Sequence, residues 1–341
     1  MTSSICDKCF SDEELELRAF VNSQGTIGNC DFCNSGASKV ISTEELLDFF
    51  NELLNNFQLD LEGQSLISLI QGDWNLFRNN SIGTRFLNIV IDDLNIDFHN
   101  AEVTVNYSQD ILDNINYWFE LKEKIKWERR YLIDVNYLTD ELGWDGFFQS
   151  KVIINKDDVL YRARRHEETD KEAYLSENMF CPPRISSTAG RANPMGIPYL
   201  YLSDNKETIL YEIRSAYLDE VSVGSFKISD NRDAEVKISD FTETSTIYHP
   251  NEVSDRIKSR LLKRLISIDL SKPMRRYDSD LDYIPTQFIC EFIKVFTGVD
   301  GLKFTSSLHS RGNNFVIFDQ AIMQCVEVDK VKISKVKISF N

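Results

Sequence analysis

The sequence predicts an α+β protein built from three consecutive parts, and three observations support this prediction. Two closely spaced cysteine pairs open the chain, helical hydrophobic periodicity follows them, and short alternating segments fill the second half. A length of 341 residues suits about two domains, since a domain averages about 150 residues. The cysteine pairs form a small part of their own ahead of the helical periodicity. We therefore expect three domains, at 1–40, 41–150 and 151–341.

The first part contains two Cys-x-x-Cys pairs separated by 20 residues, namely Cys6, Cys9, Cys30 and Cys33. Each pair can form a tight turn that presents two thiolates, and two such turns complete a tetrahedral four-sulfur zinc site. Disulfides or redox-active pairs are the alternative. The first seven residues lack the basic and apolar regions of a secretory signal, so we expect a cytoplasmic chain, in which disulfides are rare. The sequence therefore predicts a structural zinc without an open coordination position.

Residues 41–150 are predicted to be mainly helical. Ser42 and Glu45 form a capping-box pattern ahead of apolar residues at helical spacing. Further helices are expected over 63–71, 84–94 and 108–130. Residues 101–107 alternate as a short strand would. This part contains no catalytic constellation, and its single histidine is His99.

The acid excess of the chain lies in its N-terminal half. The 26 acidic and 10 basic residues of 1–150 leave a net charge of −16, whereas 28 of each over 151–341 cancel. A segment with that charge repels a polyphosphate backbone, so we expect no nucleic-acid partner. No apolar run approaches the roughly 18 residues that a membrane-spanning helix needs, so we expect no membrane association.

Short strands separated by helices are predicted for residues 151–341, which indicates an α+β domain. The strands are expected at Lys151–Asn155, Val159–Arg162, Tyr199–Leu202, Val221–Ile228, Leu265–Leu270, Gly301–Thr305, Asn314–Phe318 and Ala321–Val328, with a terminal edge strand over 329–341. The helices are expected at Asp204–Tyr217, Asn251–Arg264 and Tyr283–Thr297.

Several common enzyme motifs are absent from the sequence, namely GxxxxGK[ST], GxGxxG, HExxH and GxSxG. Five polar residues are nevertheless candidates for chemistry. Arg162 and Arg191 can each form forked hydrogen bonds with a pyrophosphate. Glu212 lies beside apolar positions of a predicted helix, where a carboxylate is costly unless it is paired or functional. Tyr201 offers a ring for stacking on a base or a nicotinamide, and Ser306 offers a hydroxyl. Structural ion pairing of the arginines with the glutamate is the alternative.

The order and spacing of these residues resemble the RES-domain family over about residues 155–330. The family pattern is YR, then GRxNxxGxxxLY, an acid in the next helix, YxxTQ, a serine and GxNxxxF. It is matched here by Tyr161, Arg162, Gly190, Arg191, Asn193, Gly196, Leu200, Tyr201, Glu212, Tyr283, Thr286, Gln287, Ser306, Gly312, Asn314 and Phe318. Phe304 departs from the pattern, which usually has Tyr there. Ser306 and Ser307 are adjacent, so the position of the family serine stays open between them.

The resemblance implies a fold similar to that of ADP-ribosyltransferases and an activity that consumes NAD+. RES proteins are best known as bacterial toxins that break the nicotinamide–ribose bond by hydrolysis or phosphorolysis, and a minority resemble protein ADP-ribosyltransferases. The implied catalytic residues are Glu212, Arg162 and Ser306. The implied substrate-binding residues are Arg162, Arg191, Tyr201, Ser306 and Asn314.

The cysteine pairs and the acidic helical part look like the HEPN-related extension that precedes some RES domains. The arginine–histidine pattern of HEPN ribonucleases is missing from 37–150, so we expect no ribonuclease activity. The resemblance implies a regulatory N-terminal module and a toxin–antitoxin setting, with an antitoxin or a regulatory protein as partner. Homo-oligomerisation and the acceptor, whether water, phosphate or protein, stay open. A non-enzymatic zinc-ribbon interaction protein with an inactive RES-like scaffold is the alternative.

Overall fold

The structure is a computed structural model that describes residues 3–149, 152–168, 172–232, 234–242, 246–272, 280–309 and 311–335. The chain divides into two compact units, Met1–Trp118 with Thr244–Leu261, and Phe119–Glu243 with Leu262–Asn341. The three domains expected at 1–40, 41–150 and 151–341 stay a prediction. Among the described helices, none is both long enough and apolar enough to cross a bilayer.

The first unit begins with a three-stranded antiparallel sheet in the order β1-β3-β2. Its elements are strand β1 (Ser4–Cys6), helix α1 (Leu15–Gln24), strand β2 (Thr26–Gly28) and strand β3 (Ser38–Ser42). The predicted capping box follows β3, because the Ser42 side chain accepts from a backbone N–H while Glu45 accepts from the Ser42 N–H.

Helices and a two-stranded sheet complete this unit: α2 (Leu47–Leu54), β4 (Phe57–Ser65), α3 (Leu66–Trp74), α4 (Asn80–Leu94), β5 (Thr104–Tyr107) and α5 (Gln109–Glu123), which ends beyond the unit boundary. The apolar positions at helical spacing bury a group of aromatic rings. Phe77 and Phe86 pack with each other and with both Phe10 and Phe50, at centroid separations of 4.8 to 6.2 Å. These rings place a rigid core directly beside the first cysteine pair.

An eight-stranded sheet forms the centre of the second unit, in the order β13-β9-β7-β8-β12-β11-β10-β6. Its neighbouring strands are antiparallel except for β10 with β11. The elements are α6 (Trp144–Phe148), β6 (Val152–Ile154), β7 (Leu160–Arg165), β8 (Leu200–Ser203), α7 (Lys206–Glu212), β9 (Glu220–Ile228), β10 (Val236–Asp240), α8 (Val253–Ser271), α9 (Ile284–Phe296), β11 (Gly301–Thr305), β12 (Asn313–Ile317) and β13 (Met323–Lys332). The residues of α8 up to Leu261 belong to the first unit.

Side-chain alternation along β7 separates two apolar clusters. Leu160 belongs to a cluster with Phe226 and Phe315, whereas Ala163 packs with Ile209 of α7. Strands β7 and β8 are joined by a single residue pair, Tyr161 with Ser203. The sheet is therefore least continuous at the point where the predicted site residues of β7 and β8 meet.

The α+β class is confirmed, with four close cysteines ahead of the sheet-rich region. The strand predicted at Leu265–Leu270 is wrong, because these residues form the last turns of α8. Ile266 and Leu270, four residues apart, are both fully buried, which is helical spacing. Ile268 stands between these two residues in an apolar–polar alternation that is typical of a strand, but it is 58% exposed in the helix.

Other boundaries also differ from the sequence-based expectation. The helix predicted at Asp204–Tyr217 ends at Glu212, and Arg214 has a left-handed φ of 51° that does not continue a helix. The terminal strand lies at the sheet edge as predicted, within β13, up to Lys332. Its last predicted residues, 336–341, lie outside the described residues, as does Lys151 of the first predicted strand.

Candidate functional site

The four N-terminal cysteines form one cluster, with all four sulfur atoms within 4.8 Å of one another. Their Sγ atoms are 3.9 Å apart for Cys6–Cys9 and 3.4 Å for both Cys6–Cys33 and Cys9–Cys30. A tetrahedral zinc with Zn–S bonds of about 2.3 Å separates its sulfurs by about 3.8 Å. The cysteines are unbridged, so the donor set and its spacing fit a four-thiolate metal ion.

Charge and packing around the cysteine cluster agree with that fit. Contact with the Cys30 thiol raises the pKa of Cys6 to about 12, so four thiolates would not coexist here without a cation. The Arg85 guanidinium donates to the carbonyl oxygens of Asp31 and Phe32, which fixes the second cysteine turn. Phe32 packs on Phe86 of the aromatic core. The cluster therefore has a rigid support and suits a structural metal.

A second candidate site surrounds the Glu212 carboxylate at the last residue of α7. This helix is capped by Asn205, whose side chain accepts from the N–H groups of Glu207 and Thr208. Oε1 of Glu212 accepts hydrogen bonds from Ser306 Oγ at 2.6 Å and Asn314 Nδ2 at 2.7 Å. Oε2 has no hydrogen bond from the described residues. The carboxylate is thus held by one oxygen and can offer the other to a ligand.

Ser306 uses its full hydrogen-bonding capacity in this arrangement. Its Oγ accepts from the backbone N–H groups of Leu308 at 3.2 Å and His309 at 3.1 Å while it donates to Glu212. A hydroxyl has one hydrogen and two lone pairs, and all three are occupied. Ser307 is exposed, and of the two adjacent serines only Ser306 makes a described contact with Glu212.

A hydrogen-bonded turn before β8, together with Tyr201 on β8 itself, forms the next group of predicted site residues. The Tyr201 hydroxyl donates to Asn193 Oδ1 at 2.8 Å and accepts from the Ala192 N–H at 3.0 Å. Burial raises the pKa of Tyr201 above its ordinary value. A Cβ at Gly190 would come within 2.6 Å of Asn193 Oδ1, so the close packing of this turn requires glycine.

Helix α9 holds the same turn from the other side. Thr286 donates its hydroxyl to the Arg191 carbonyl oxygen at 2.6 Å, and Gln287 donates to the Gly190 carbonyl oxygen at 2.8 Å. The Arg191 guanidinium donates through Nη1 to the Leu270 carbonyl oxygen at 2.7 Å. Arg191 also borders a cavity of about 130 Å³ whose other lining residues are Lys122, Glu123, Lys126, Asp269, Lys272, Asp282, Tyr283, Pro285 and Thr286.

Arg162 on β7 is buried without a partner for most of its guanidinium. Its Nε and Nη1 atoms are inaccessible to solvent and make no hydrogen bond with the part of the chain that the structure describes. Burial lowers the pKa of Arg162, and charge interactions with Cys181 and Tyr201 act in the opposite direction. A buried cation without an anion is unfavourable, so this side chain is suited to an anionic ligand.

Comparison with known proteins supplies the family. A family model described as the RES domain matches residues 159–339, which is more than half of the chain. The chain belongs to the RES domain family. This family is associated with NAD+-related toxin activity, and membership implies NAD+ as the substrate. No curated protein and no solved structure was found to match the chain.

The RES residues fall into three groups in the structure. Glu212, Ser306 and Asn314 are joined by direct hydrogen bonds. Asn193 and Arg191 belong to the turn before β8, and Tyr201 on β8 binds that turn through its hydroxyl. Among the described contacts, no hydrogen bond connects Arg162 to either group.

Strand register places Arg162 and Asn314 on opposite faces of the sheet. Tyr161 is paired with Ser203, and Ser203 is paired with Asn314, whose side chain donates a hydrogen bond to Glu212. Tyr161 therefore lies in line with Asn314 across the sheet, and Arg162 is the next residue along β7. Because neighbouring strand residues point to opposite faces, its side chain leaves β7 on the face away from Tyr161.

The sequence reasoning missed His309 and Thr208 at this site. His309 Nδ1 lies 2.7 Å from Thr208 Oγ1, and the imidazole stacks on Tyr211. The position of His309, three residues after Ser306, is the only signal in the sequence that could have singled it out.

Proposed function

We propose that this RES protein cleaves the nicotinamide–ribose bond of NAD+, by hydrolysis or phosphorolysis, and acts as a bacterial toxin or defence effector. The observation that carries the proposal is the Glu212 carboxylate, with Oε1 held by Ser306 and Asn314 and Oε2 without a hydrogen bond from any described residue. Loss of nicotinamide leaves positive charge on the ribose. A carboxylate oxygen fixed in advance stabilises that charge without having to reorganise.

The reaction assigns different tasks to the acid and the serine. The electron pair of the broken bond leaves with nicotinamide, which becomes neutral, and an oxygen of water or phosphate forms the new bond to the ribose carbon. When the nucleophile is water, its second proton is released to solvent. Ser306 donates its only hydroxyl hydrogen to Glu212 and accepts two N–H groups, so we assign it to orienting the acid.

The arginines bind the anionic part of NAD+ in this proposal. Arg162 supplies a buried guanidinium that gains an anion when the pyrophosphate binds. Arg191 keeps Nη1 on the Leu270 carbonyl oxygen, which orients the rest of its planar fork. The Tyr201 hydroxyl is engaged in the turn, so we assign its ring to packing against the nicotinamide end. Holding the substrate in one pose lowers the entropy cost of reaching the transition state.

The N-terminal cysteine cluster serves a structural purpose in the same proposal. Cys6, Cys9, Cys30 and Cys33 hold one zinc ion, and the unit around it regulates the RES domain. Because four thiolates fill a tetrahedral ion, zinc takes no part in the reaction. Glu212 and Ser306 make their contacts within the second unit.

Product analysis tests the proposal and separates the acceptors. Purified protein is incubated with NAD+ in phosphate-free buffer, with inorganic phosphate, and with a bacterial protein extract. We expect nicotinamide release, with ADP-ribose as product in water or ADP-ribose 1″-phosphate when phosphate is the acceptor. Label from adenine-labelled NAD+ appearing on protein would instead identify an ADP-ribosyltransferase. NAD+ that stays intact under all three conditions would support the inactive-scaffold alternative.

A further inference from the structure

We propose that His309 is a positioning residue that fastens the serine turn, residues 306–309 with 311–312, to helix α7 and so fixes the orientation of Glu212. This inference rests on the proposed NAD+ cleavage, for which Glu212 is the acid. The histidine does not contact the carboxylate itself. It acts through two connections, one made by its ring and one made by its backbone.

The ring connection reaches α7 at three positions, of which the contact of His309 Nε2 with Glu207 Oε2, at 3.8 Å, joins the ring to the exposed start of the helix. Nδ1 of His309 lies 2.7 Å from the hydroxyl oxygen of Thr208, which is fully buried. The imidazole also stacks on Tyr211, with ring centroids 5.4 Å apart and planes within 15°. Thr208 and Tyr211 precede Glu212 on the same helix by four residues and one residue. The ring therefore binds the turn that follows β11 to the helix that carries the acid.

The backbone connection reaches the acid through the serine. The His309 N–H donates to Ser306 Oγ at 3.1 Å, and Ser306 Oγ donates to Glu212 Oε1 at 2.6 Å. The contacts form a closed circuit from Glu212 through Ser306, His309 and Thr208 back to α7. Within such a network, breaking one connection weakens the geometric control exerted by the others.

Gly312 gives independent evidence that the turn is built to approach Thr208. Its N–H donates to the His309 carbonyl oxygen at 3.2 Å, and its own carbonyl oxygen accepts from the Ser306 N–H at 3.0 Å. A Cβ at position 312 would overlap the Thr208 hydroxyl. Only glycine lets the turn come this close to α7, so the distance from His309 to Thr208 is set by the backbone.

The expected consequence is a loss of kcat at nearly constant KM. The pyrophosphate is bound elsewhere, by the arginines, so ground-state affinity does not depend on this turn. Glu212 stabilises charge that develops only as nicotinamide leaves, and a misplaced acid therefore slows turnover. Small errors in the position of a catalytic group can cost about 100-fold in rate.

Three single variants and one double variant test the ring connection. Asn places an amide near the position of Nδ1, so His309→Asn retains a partner for Thr208, whereas His309→Ala retains none. Thr208→Val removes the hydroxyl at almost constant shape. We expect His309→Ala and Thr208→Val each to lower kcat by roughly 10- to 100-fold with KM within about twofold. His309→Asn should keep most of the activity, and the double variant His309→Ala/Thr208→Val should be no slower than His309→Ala alone.

His99→Ala is the matched control, because His99 is an exposed histidine of the other unit. Wild-type kcat in His309→Ala, equal losses in His309→Ala and His309→Asn, or additive losses in the double variant would overturn the inference. Glu212→Gln distinguishes a failure of the positioning role of His309 from a failure of the proposed function. If Glu212→Gln is inactive and His309→Ala is fully active, only the positioning role fails, whereas full activity of Glu212→Gln contradicts the proposed function.

A measurement that does not depend on turnover tests the contact itself. Imidazole ¹⁵N NMR of the full chain should show a shift of the His309 ring signals in Thr208→Val, with the His99 signals unchanged. Unchanged His309 signals would mean that Thr208 does not bind the ring, which would overturn the inference even for a folded and active variant.

Discussion

Glu212 and Arg162 differ in how their charges are accommodated. Oε1 of the carboxylate accepts two hydrogen bonds, whereas Nε and Nη1 of the guanidinium are buried and donate to none of the described residues. Burial lowers the pKa of Arg162, which reflects the cost of keeping this cation away from water. An anionic ligand would offset that cost by pairing with the guanidinium, and the pyrophosphate of NAD+ is an anion of this kind.

Removing either arginine should therefore weaken NAD+ cleavage. We expect Arg162→Ala and Arg191→Ala each to lower kcat/KM by roughly 30- to 1000-fold, because a forked guanidinium makes two charge-assisted hydrogen bonds. Arg191→Lys should restore little, since an ammonium group lacks the planar fork. Steady-state kinetics with NAD+ measures these effects.

Arg164→Ala is the control for the arginine prediction, because Arg164 is exposed and lies two residues along β7 from Arg162. Its kcat/KM should stay close to that of the wild type. Unchanged kcat/KM in both Arg162→Ala and Arg191→Ala would show that the pyrophosphate binds elsewhere. Full activity of Arg191→Lys would mean that this side chain supplies only positive charge.

The adjacent serines should differ sharply in their effect on turnover. Ser306→Ala removes one of the two donors to Glu212 Oε1, and a hydrogen bond to a charged group contributes about 1.5 to 3 kcal/mol. We expect kcat to fall roughly 10- to 150-fold, while Ser307→Ala has wild-type kcat. The reverse order of effects would contradict the site geometry.

The cysteine cluster shows how short elements build a site from distant parts of the sequence. Strand β1 ends at Cys6 and pairs with β3, which follows the second cysteine pair. The Asp31 N–H donates to the Ser4 carbonyl oxygen, and Asn34 turns the chain with a left-handed φ of 59°. The sheet thus brings two turns together before any metal is considered, which favours a preformed site.

We expect about one zinc per chain in protein purified without chelator, measured by inductively coupled plasma mass spectrometry. Cys30→Ser should lose the metal and lower the midpoint of thermal unfolding, because zinc binding and folding are coupled. Cys181→Ser, which changes a cysteine outside the cluster, should retain the metal. Metal-free wild-type protein with disulfides among the four residues would refute the zinc assignment.

A buried acid near the start of α1 predicts pH-dependent stability of the first unit. Burial raises the pKa of Glu14 to about 7, although its Oε1 accepts from the Ile247 N–H at 3.0 Å. A raised folded-state pKa means that stability is highest below the ordinary glutamate pKa and falls as the pH rises through 7. The loss is at most about 3 kcal/mol.

Glu14→Gln should remove this pH dependence, since glutamine remains neutral and can accept the same N–H. The free energy of urea unfolding, compared with wild type between pH 5 and pH 8, should show the variant gaining stability as the pH rises. Glu13→Gln, at an exposed neighbouring acid, is the control and should follow the wild type. A constant difference between Glu14→Gln and wild type across that range would contradict the titration of Glu14.

Local sequence patterns predicted some elements well and others poorly. The Ser42 capping box and helix α9 follow from short-range rules and are confirmed. The sequence predicts a strand at the end of α8 because Ile266, Ile268 and Leu270 alternate with polar residues, but in the helix Ile268 faces solvent. The family pattern named Glu212 and Ser306, but their hydrogen bond joins residues 94 positions apart and no local rule supplies it. The contact of His309 with Thr208 is equally non-local.

At the scale of the whole chain, the two compact units are interleaved in sequence. Residues 244–261 return to the unit formed by 1–118, and no change of composition marks that return. The net charge of −16 over residues 1–150 belongs to the regulatory part of the proposal, whereas the residues assigned to NAD+ come from the electrically balanced part. The RES match at 159–339 covers all of those residues.

The most direct test of NAD+ cleavage is the rate of nicotinamide release by the full chain and by Glu212→Gln. Glutamine keeps the shape of the side chain and can still accept from Ser306 and Asn314, but it cannot stabilise a cationic ribose. We expect the wild type to release nicotinamide in proportion to enzyme and time, and Glu212→Gln to be slower by roughly 100-fold or more. Equal rates for the two proteins, or no release by the wild type, would contradict the account.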